Sequence, residues 1–426
     1  MNLLKTNHFV RIIFFVIIIS VPVFWLLTGG NYGKTSQIED RELSAFPRLS
    51  YSSFKIAVKS AIQGQPGNAN KIFFNQFTNR KFQQKVENAA SDQFPLRMLG
   101  IQAAKAFERA QIALVYSLLP DPAIPTDMKS SLYVIRDGSL LFSKPTQLTQ
   151  SSFKIIDDRI NSYKELIKDH PDIHFYAYYL ERITNASYHP LLQYFPGSDQ
   201  GQRLKYFEEN KPAGLILGKM TFTGLEDYKK YNYRTDHHWN IYGALRAYDD
   251  IYSMLAKNYP GISPPVNHAE IRKFQDIQFL GSEARQSLYP IRPDDFEVPI
   301  LDLQSHIVYE DGKITADYCK NYLEGVYSHS KYTNHFGMCF GYESQALVEY
   351  VFDNGSDRNL LIIGDSFTKP IHPLLASHYK HTYRIDLRAY DNFSFSDFIK
   401  QNPVDDVIFI GDCPVIFTSD TWNFKQ

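Results

Sequence analysis

Two short runs, far apart in the chain, hold the residue types that acyl-transfer chemistry needs: Thr235-Asp236-His237-His238-Trp239 and Gly364-Asp365-Ser366-Phe367. A serine hydroxyl is a weak nucleophile until a neighbouring base takes its proton, and an imidazole does so best when a carboxylate sets its tautomer. Asp236, His238 and Ser366 supply that set. Asp236 and His238 are two apart, so in an extended segment their side chains project to one side and His237 to the other. Two further uses of Asp-His-His stay open, a structural hydrogen-bonded cluster and a metal site. No other Cys, His, Asp or Glu cluster with zinc-type spacing stands near it, and the reading calls for no metal and no cofactor. For Ser366 the competing use is as a buried helix cap.

The surrounding residues predict how these groups are positioned. Leu360-Leu361-Ile362-Ile363 is an unbroken apolar strand core, Gly364 permits a tight turn, and Pro370 with Thr368 as cap predicts a helix beginning just after Ser366. Free N–H groups at such a helix start can stabilise an oxyanion. After the Asp-His pair, Ile241, Ala244, Leu245, Tyr248, Ile251, Tyr252 and Leu255 recur at helical spacing, with Asn240 as cap. Further strands are expected at 173–180, 214–217, 382–385 and 406–410. Phe153, Ile156, Ile160, Tyr163 and Ile167 mark a helix before them. Strands alternating with helices predict an α/β domain over 131–426, a mostly parallel sheet flanked by helices whose ligand crevice lies at the carboxyl ends of the strands. At its start, apolar runs on either side of Arg136-Asp137-Gly138 predict a hairpin.

The N-terminus bears on where the chemistry happens. No charge falls between Ile12 and Gly33, a run that would rise about 33 Å as a helix, against a bilayer hydrocarbon core of about 30 Å. Lys5 and Arg11 precede it and favour a cytoplasmic N-terminus. The expected organisation is a cytoplasmic tail over 1–11, a transmembrane signal-anchor over 12–30, and a stalk and helical lead-in over 31–130. Residues 71–118 read as helical with a break at Asp92-Gln93-Phe94-Pro95-Leu96-Arg97. A cleaved signal peptide is the rival, given the small residues Thr28-Gly29-Gly30, though no A-x-A site is present. Either way the remainder is expected outside the cytoplasm, bound to the membrane if the segment is retained. With 45 basic and 46 acidic residues there is no electrostatic case for nucleic acid. The 15% aromatic content suits sugar stacking or a tyrosine-rich core. Cys319 and Cys339 could pair in an oxidising compartment, leaving Cys413 alone; three buried thiols are the alternative.

Thr235-Asp236-His237-His238-Trp239 resembles the signature of the DHHW-type family, in the alginate O-acetyltransferase-like branch of the SGNH hydrolases. Glu39-Asp40-Arg41 with Leu43 and Pro47, Asp92-Gln93-Phe94-Pro95, Phe279-Leu280-Gly281-Ser282, Leu361 to Phe367 and Ile385-Asp386-Leu387-Arg388 follow in the order that family shows. The resemblance implies a membrane-anchored extracytoplasmic enzyme that acetylates or deacetylates cell-surface or exported polysaccharide. A polytopic membrane-bound O-acyltransferase would supply the acyl group. By motif position it implies a triad of Asp236, His238 and Ser366 on a circularly permuted sheet, the pair preceding the serine. The asparagine that many SGNH enzymes carry after a later strand is not evident; Val407-Ile408-Phe409-Ile410 runs into Gly411-Asp412-Cys413. Arg388 is the candidate substrate contact, with a surface or sheet-edge arginine as its alternative. A non-catalytic polysaccharide-binding or assembly protein that kept the fold is the competing function.

Overall fold

The computed structural model describes residues 34–36, 38–39, 41–45, 80–94, 96–129, 132–342, 345–390 and 393–418. The apolar segment 12–30 lies outside them, and no described helix is long and apolar enough to cross a bilayer. The chain divides into two compact units, Met1–Ala110 and Gln111–Gln426. In the second unit, Ala123–Pro125 pairs antiparallel with Leu132–Ile135.

In the first unit, helix Lys81–Asp92 ends at the predicted break and Arg97 opens the next helix, Arg97–Tyr116, which continues past Ala110. Two motifs of the resemblance meet here. Arg41 forks onto Asp92 at 2.6 and 2.8 Å, Ser44 N–H donates to the same carboxylate at 2.9 Å, and Arg97 holds Glu39 at 2.8 and 2.9 Å. The Arg41 fork keeps the Asp92 carboxyl well below the usual carboxylate range.

The second unit is built on eight strands: β1 (His174–Leu180), β2 (Leu215–Met220), β3 (His306–Glu310), β4 (Lys313–Ile314), β5 (Leu347–Phe352), β6 (Asn359–Gly364), β7 (His381–Ile385) and β8 (Asp406–Gly411). Their order is β4-β3-β5-β7-β6-β8-β1-β2. The five strands from β7 to β2 are parallel, and β5, β3 and β4 extend the sheet antiparallel. The sheet is therefore mixed where a mostly parallel one was expected. The five parallel strands are the ones the sequence predicts; β1, β6 and β8, covered on both faces, read as near-continuous apolar runs. β5 alternates half-buried and buried residues, and β3 is mostly half-buried, so neither stands out from its flanks.

Helices cover both faces. Tyr176, Tyr178, Leu360, Ile362, Ile408 and Ile410 face one core, and Phe175, Ala177, Tyr179, Leu361, Ile363, Val407 and Phe409 the other. Helix α1 (Gln150–Asp169) packs on the second through Ile156, Ile160 and Tyr163, and helix α2 (Ile241–Leu255) on the first through Ala244, Tyr248 and Ile251. Much of the tyrosine content is thus core. The predicted hairpin forms as Leu132–Ile135 and Leu141–Ser143, with Gly138 at φ 70°, a left-handed conformation that favours glycine. All three cysteines are free thiols.

Candidate active site

The Asp-His segment is a tight loop rather than an extended strand. Asn232 and Trp239 bridge antiparallel, Tyr233 N–H bonds His238 O at 3.1 Å, and Asn240 N–H bonds Tyr231 O at 2.9 Å. Asn240 also caps α2, its side chain accepting from Gly243 N–H. Alternation therefore does not pair Asp236 with His238; a side-chain turn does. Asp236 Oδ1 accepts the His238 backbone N–H at 3.1 Å and lies 2.5 Å from His238 Nδ1. His238 Nε2 is 2.7 Å from Ser366 Oγ. With Nδ1–H donating to the carboxylate, Nε2 is left to accept the serine proton. All three side chains are buried.

Ser366 follows β6 directly. A Cβ on Gly364 would lie 2.5 Å from the Ile410 carbonyl, so only glycine lets this strand end run so close to β8. Asp365 Oδ1 accepts Phe367 N–H at 3.0 Å, and Ser366–Thr368 form one 3-10 turn. The helix expected directly after Ser366 is absent. Thr368 donates its hydroxyl back to Asp365 O at 2.8 Å instead of capping, and the next helix is His372–Ala376. Phe367 and Thr368 N–H both bond Asp365, which leaves the Ser366 N–H as the backbone donor of this turn. Fully buried Arg384, on β7, ties the turn down: Nη2 to Asp365 O at 2.9 Å, Nε to Thr368 Oγ1 at 3.1 Å and Nη1 to Gln345 O at 3.4 Å.

The turn into helix α3 (Ser282–Ser287) buttresses Asp236. Ser282 N–H donates to Asp236 Oδ2 at 2.6 Å, and Gly281 N–H to Thr235 Oγ1 at 2.9 Å. Asp294 accepts the Thr235 hydroxyl at 2.6 Å and the N–H groups of Thr235 and Arg234 at 2.8 and 2.9 Å. Burial alone would raise the Asp236 carboxyl, but His238, His237 and the Ser282 N–H more than offset it and hold it well below its ordinary value.

His237, expected to point away, stays beside the site. Its Nδ1 is 2.8 Å from Ser282 Oγ and its ring centroid 3.9 Å from that of His238. On the opposite side, Phe336 of helix α4 (His335–Phe340) stacks on His238 at 4.2 Å and 14°. Burial and the His238 charge pull the His237 imidazole down to about 3, so it is neutral at physiological pH. Arg388 lies on the rim, its side chain 40% exposed and anchored to Asp386 at 2.7 and 2.9 Å.

Among the described residues, Asp236, His237 and His238 also form a group whose ligand atoms lie within 4.8 Å of one another. Both ring nitrogens of His238 already have partners, Asp236 and Ser366, so a cation bound through His238 would displace one of those bonds. The supporting roles of Gly281, Ser282, Asp294, Phe336 and Arg384 were missed in the sequence. Only Gly281-Ser282 carried any signal there, through the resemblance.

No protein-family model matches the chain, and no curated protein does. Solved structures do. Bacillus cereus PatB1 matches with a TM-score of 0.57 and 20% identity, over 69% of this chain and 100% of that protein. The same protein with a sulfonyl adduct matches at 0.55 and 19%, with the same coverage. A DHHW family protein from Eubacterium siraeum matches at 0.49 and 16%, over 68% of this chain and 93% of that one. The matches thus include a protein of the DHHW family that the motifs resemble, and the fold is shared with PatB1.

Proposed function

We propose that this chain is an extracytoplasmic O-acetyltransferase or acetylesterase acting on cell-surface or exported polysaccharide through an acyl-Ser366 intermediate. Its N-terminal segment would anchor it to the membrane, and a polytopic membrane-bound O-acyltransferase would supply the acyl group. The observation that carries this reading is the unbroken line Asp236, His238, Ser366 at 2.5 and 2.7 Å, at the carboxyl end of a parallel strand. His238 Nε2 takes the Ser366 proton as Oγ bonds to the acyl carbon, and the resulting oxyanion collapses to expel the donor's leaving group, which receives that proton. A sugar hydroxyl then gives its proton to His238 as its oxygen bonds to the acyl carbon, and collapse of the tetrahedral anion breaks the acyl–Oγ bond, with His238 returning the proton to Ser366 and the sugar leaving as the ester. Water in its place gives free acetate. No step draws on a cofactor.

The test uses the full chain in detergent with an activated acetyl ester. Acetate release, an acetyl increment on Ser366 by intact mass, and loss of both in Ser366→Ala are expected. Equal rates for the two proteins with no adduct would sink the reading and favour a glycan-binding protein that kept the fold. PatB1 has been described with a sulfonyl adduct, which recommends a sulfonyl fluoride as a second probe: Ser366 Oγ would bond sulfur and release fluoride. Release with and without an oligosaccharide acceptor separates transfer from hydrolysis.

A further inference from the structure

An acyl-enzyme mechanism builds negative charge on the carbonyl oxygen, and one backbone N–H rarely suffices to stabilise it. The Ser366 turn offers one, and Asp412, a carboxylate, occupies the end of β8. Arg182 faces this gap. It leaves the carboxyl end of β1, and β8 lies between β1 and β6, with Tyr178 opposite Ile410 and Ile410 opposite Gly364. Arg182 and Ser366 therefore emerge at the same sheet end two strand spacings apart, about 10 Å, a gap that an extended arginine side chain largely spans.

The guanidinium takes that path. Nη1 reaches Asp412 Oδ2 only at 3.4 Å, and Cζ stands 5.5 Å from the ring centroid of Phe367, the residue after the nucleophile. Nε has no hydrogen-bond partner among the described residues, and neither does Asp412 Oδ1. Arg182 is 17% exposed, so the group is neither sealed in nor solvated. Its charge is felt at Asp412, Glu283 and Asp365, and also at His237. A largely buried arginine that shares its donors between the Tyr228 hydroxyl and one long bond to Asp412, and whose Nε has no partner among the described residues, keeps donor capacity that the protein itself does not use.

We propose that Arg182, just beyond the carboxyl end of β1, is the second donor to the oxyanion formed at Ser366. This rests on the acyl-serine reading above. When Ser366 Oγ bonds to the acyl carbon and its proton passes to His238, the carbonyl π pair moves onto oxygen, and the guanidinium N–H groups receive it. Asp412 and Tyr228 hold the guanidinium, and the weakness of the Asp412 pairing together with the unpartnered Nε leaves donors for the transient anion.

Full-length Arg182→Ala and Arg182→Gln are compared with the wild type for kcat and KM on an activated acetyl ester. Affinity for an alkylboronic acid is measured beside them, since Ser366 converts it to a tetrahedral anion that mimics the oxyanion. The expected result for Arg182→Ala is a fall of about 10²–10³ in kcat. Boronate affinity should fall in parallel, KM should stay within about threefold, and added guanidinium ion should partly restore kcat. Arg182→Gln, which keeps a neutral donor, should fall less, and it carries the test if the alanine variant does not fold. Unchanged kcat and boronate affinity in a folded variant overturn the assignment, as does a KM-only effect, which would make Arg182 a group that binds the acyl donor. Ester turnover in the wild type that Ser366→Ala abolishes leaves the acyl-serine reading standing whatever Arg182 does; its absence is the failure of that reading instead.

Discussion

Gly281→Ala isolates the orientation of Asp236 from every other property of the site. Gly281 has φ −71° and ψ −174°, a conformation open to any residue, so the substitution carries no backbone penalty. What it meets is steric: the new Cβ would lie 2.2 Å from Asp236 Cβ, 2.4 Å from Oδ2 and 2.7 Å from Cγ. Ordinary contact begins near 3.4 Å, so the two must separate by about 1.2 Å. All three atoms belong to the Asp236 side chain, whose carboxylate orients His238. Relief must therefore lengthen either the 2.6 Å bond from Ser282 N–H or the 2.5 Å approach to His238 Nδ1. A displacement of about 1 Å at a catalytic group costs on the order of 10² in rate, and complete loss of tautomer control on the order of 10⁴. We expect kcat to fall by about 10²- to 10⁴-fold with KM nearly unchanged, since Gly281 lies behind Asp236, away from the nucleophile. Overpacking should destabilise the fold by about 1–3 kcal/mol. Initial rates of acetate release and denaturant unfolding measure both quantities, and Asp236→Asn in parallel sets the floor. A Gly281→Ala enzyme within threefold of wild type would refute the claim that this carboxylate's placement governs the base. A rate below that of Asp236→Asn would show that Gly281 serves something else.

Two further outcomes are expected. Arg384→Met should cost on the order of 3 kcal/mol in stability and lower kcat, because it strands the carbonyls of Asp365 and Gln345 in a buried site and frees the Ser366 turn; unchanged stability and kcat would show that the turn holds itself. Burial pushes the Glu283 carboxyl up to about 8, with the Asp236 and Asp294 charges adding to the rise and Arg182 opposing it. The folded chain then holds a proton that the unfolded chain releases near 4.5, so stability should decline as pH rises from about 5 to about 8. Glu283→Gln should flatten that decline, measured as urea midpoints across the range; parallel curves for the two proteins would contradict it.

Legibility in the sequence followed burial. β1, β6 and β8 were visible because they are buried along nearly their whole length, β2 through the short run Leu215-Ile216-Leu217, and α2 because its apolar spacing and the Asn240 cap agree. The antiparallel edge was invisible: β5 alternates and β3 is largely half-buried, a pattern that many loops share. In the site, strand alternation puts Asp236 and His238 on one side, whereas the loop 232–239 brings them together through a hydrogen bond from the His238 backbone to the Asp236 side chain. The same alternation would send His237 outward, whereas the turn holds its ring 3.9 Å from that of His238, tilted by 36°. Phe336, Arg384 and Arg182 were out of reach for another cause. Each acts through a contact made across the tertiary fold, and a phenylalanine or arginine in an ordinary context carries no local mark of such a role.

The way the three groups are held also bears on how the site would turn over. His238 is constrained on every side: Asp236 at Nδ1 and at its backbone N–H, His237 against one face and Phe336 against the other. Among the described residues, the Ser366 hydroxyl bonds His238 alone, on a turn whose backbone is tied by Asp365 and Arg384. Base and backbone are therefore rigid, and the rotation of one side-chain angle is the freedom that remains. An acyl transfer of the proposed kind needs that combination. Oγ has to leave His238 to bond the acyl carbon, and the imidazole has to stay in place to return the proton to the leaving group and then take one from the acceptor. A base free to follow the serine would lose the second step, and a serine locked to its base would never make the first.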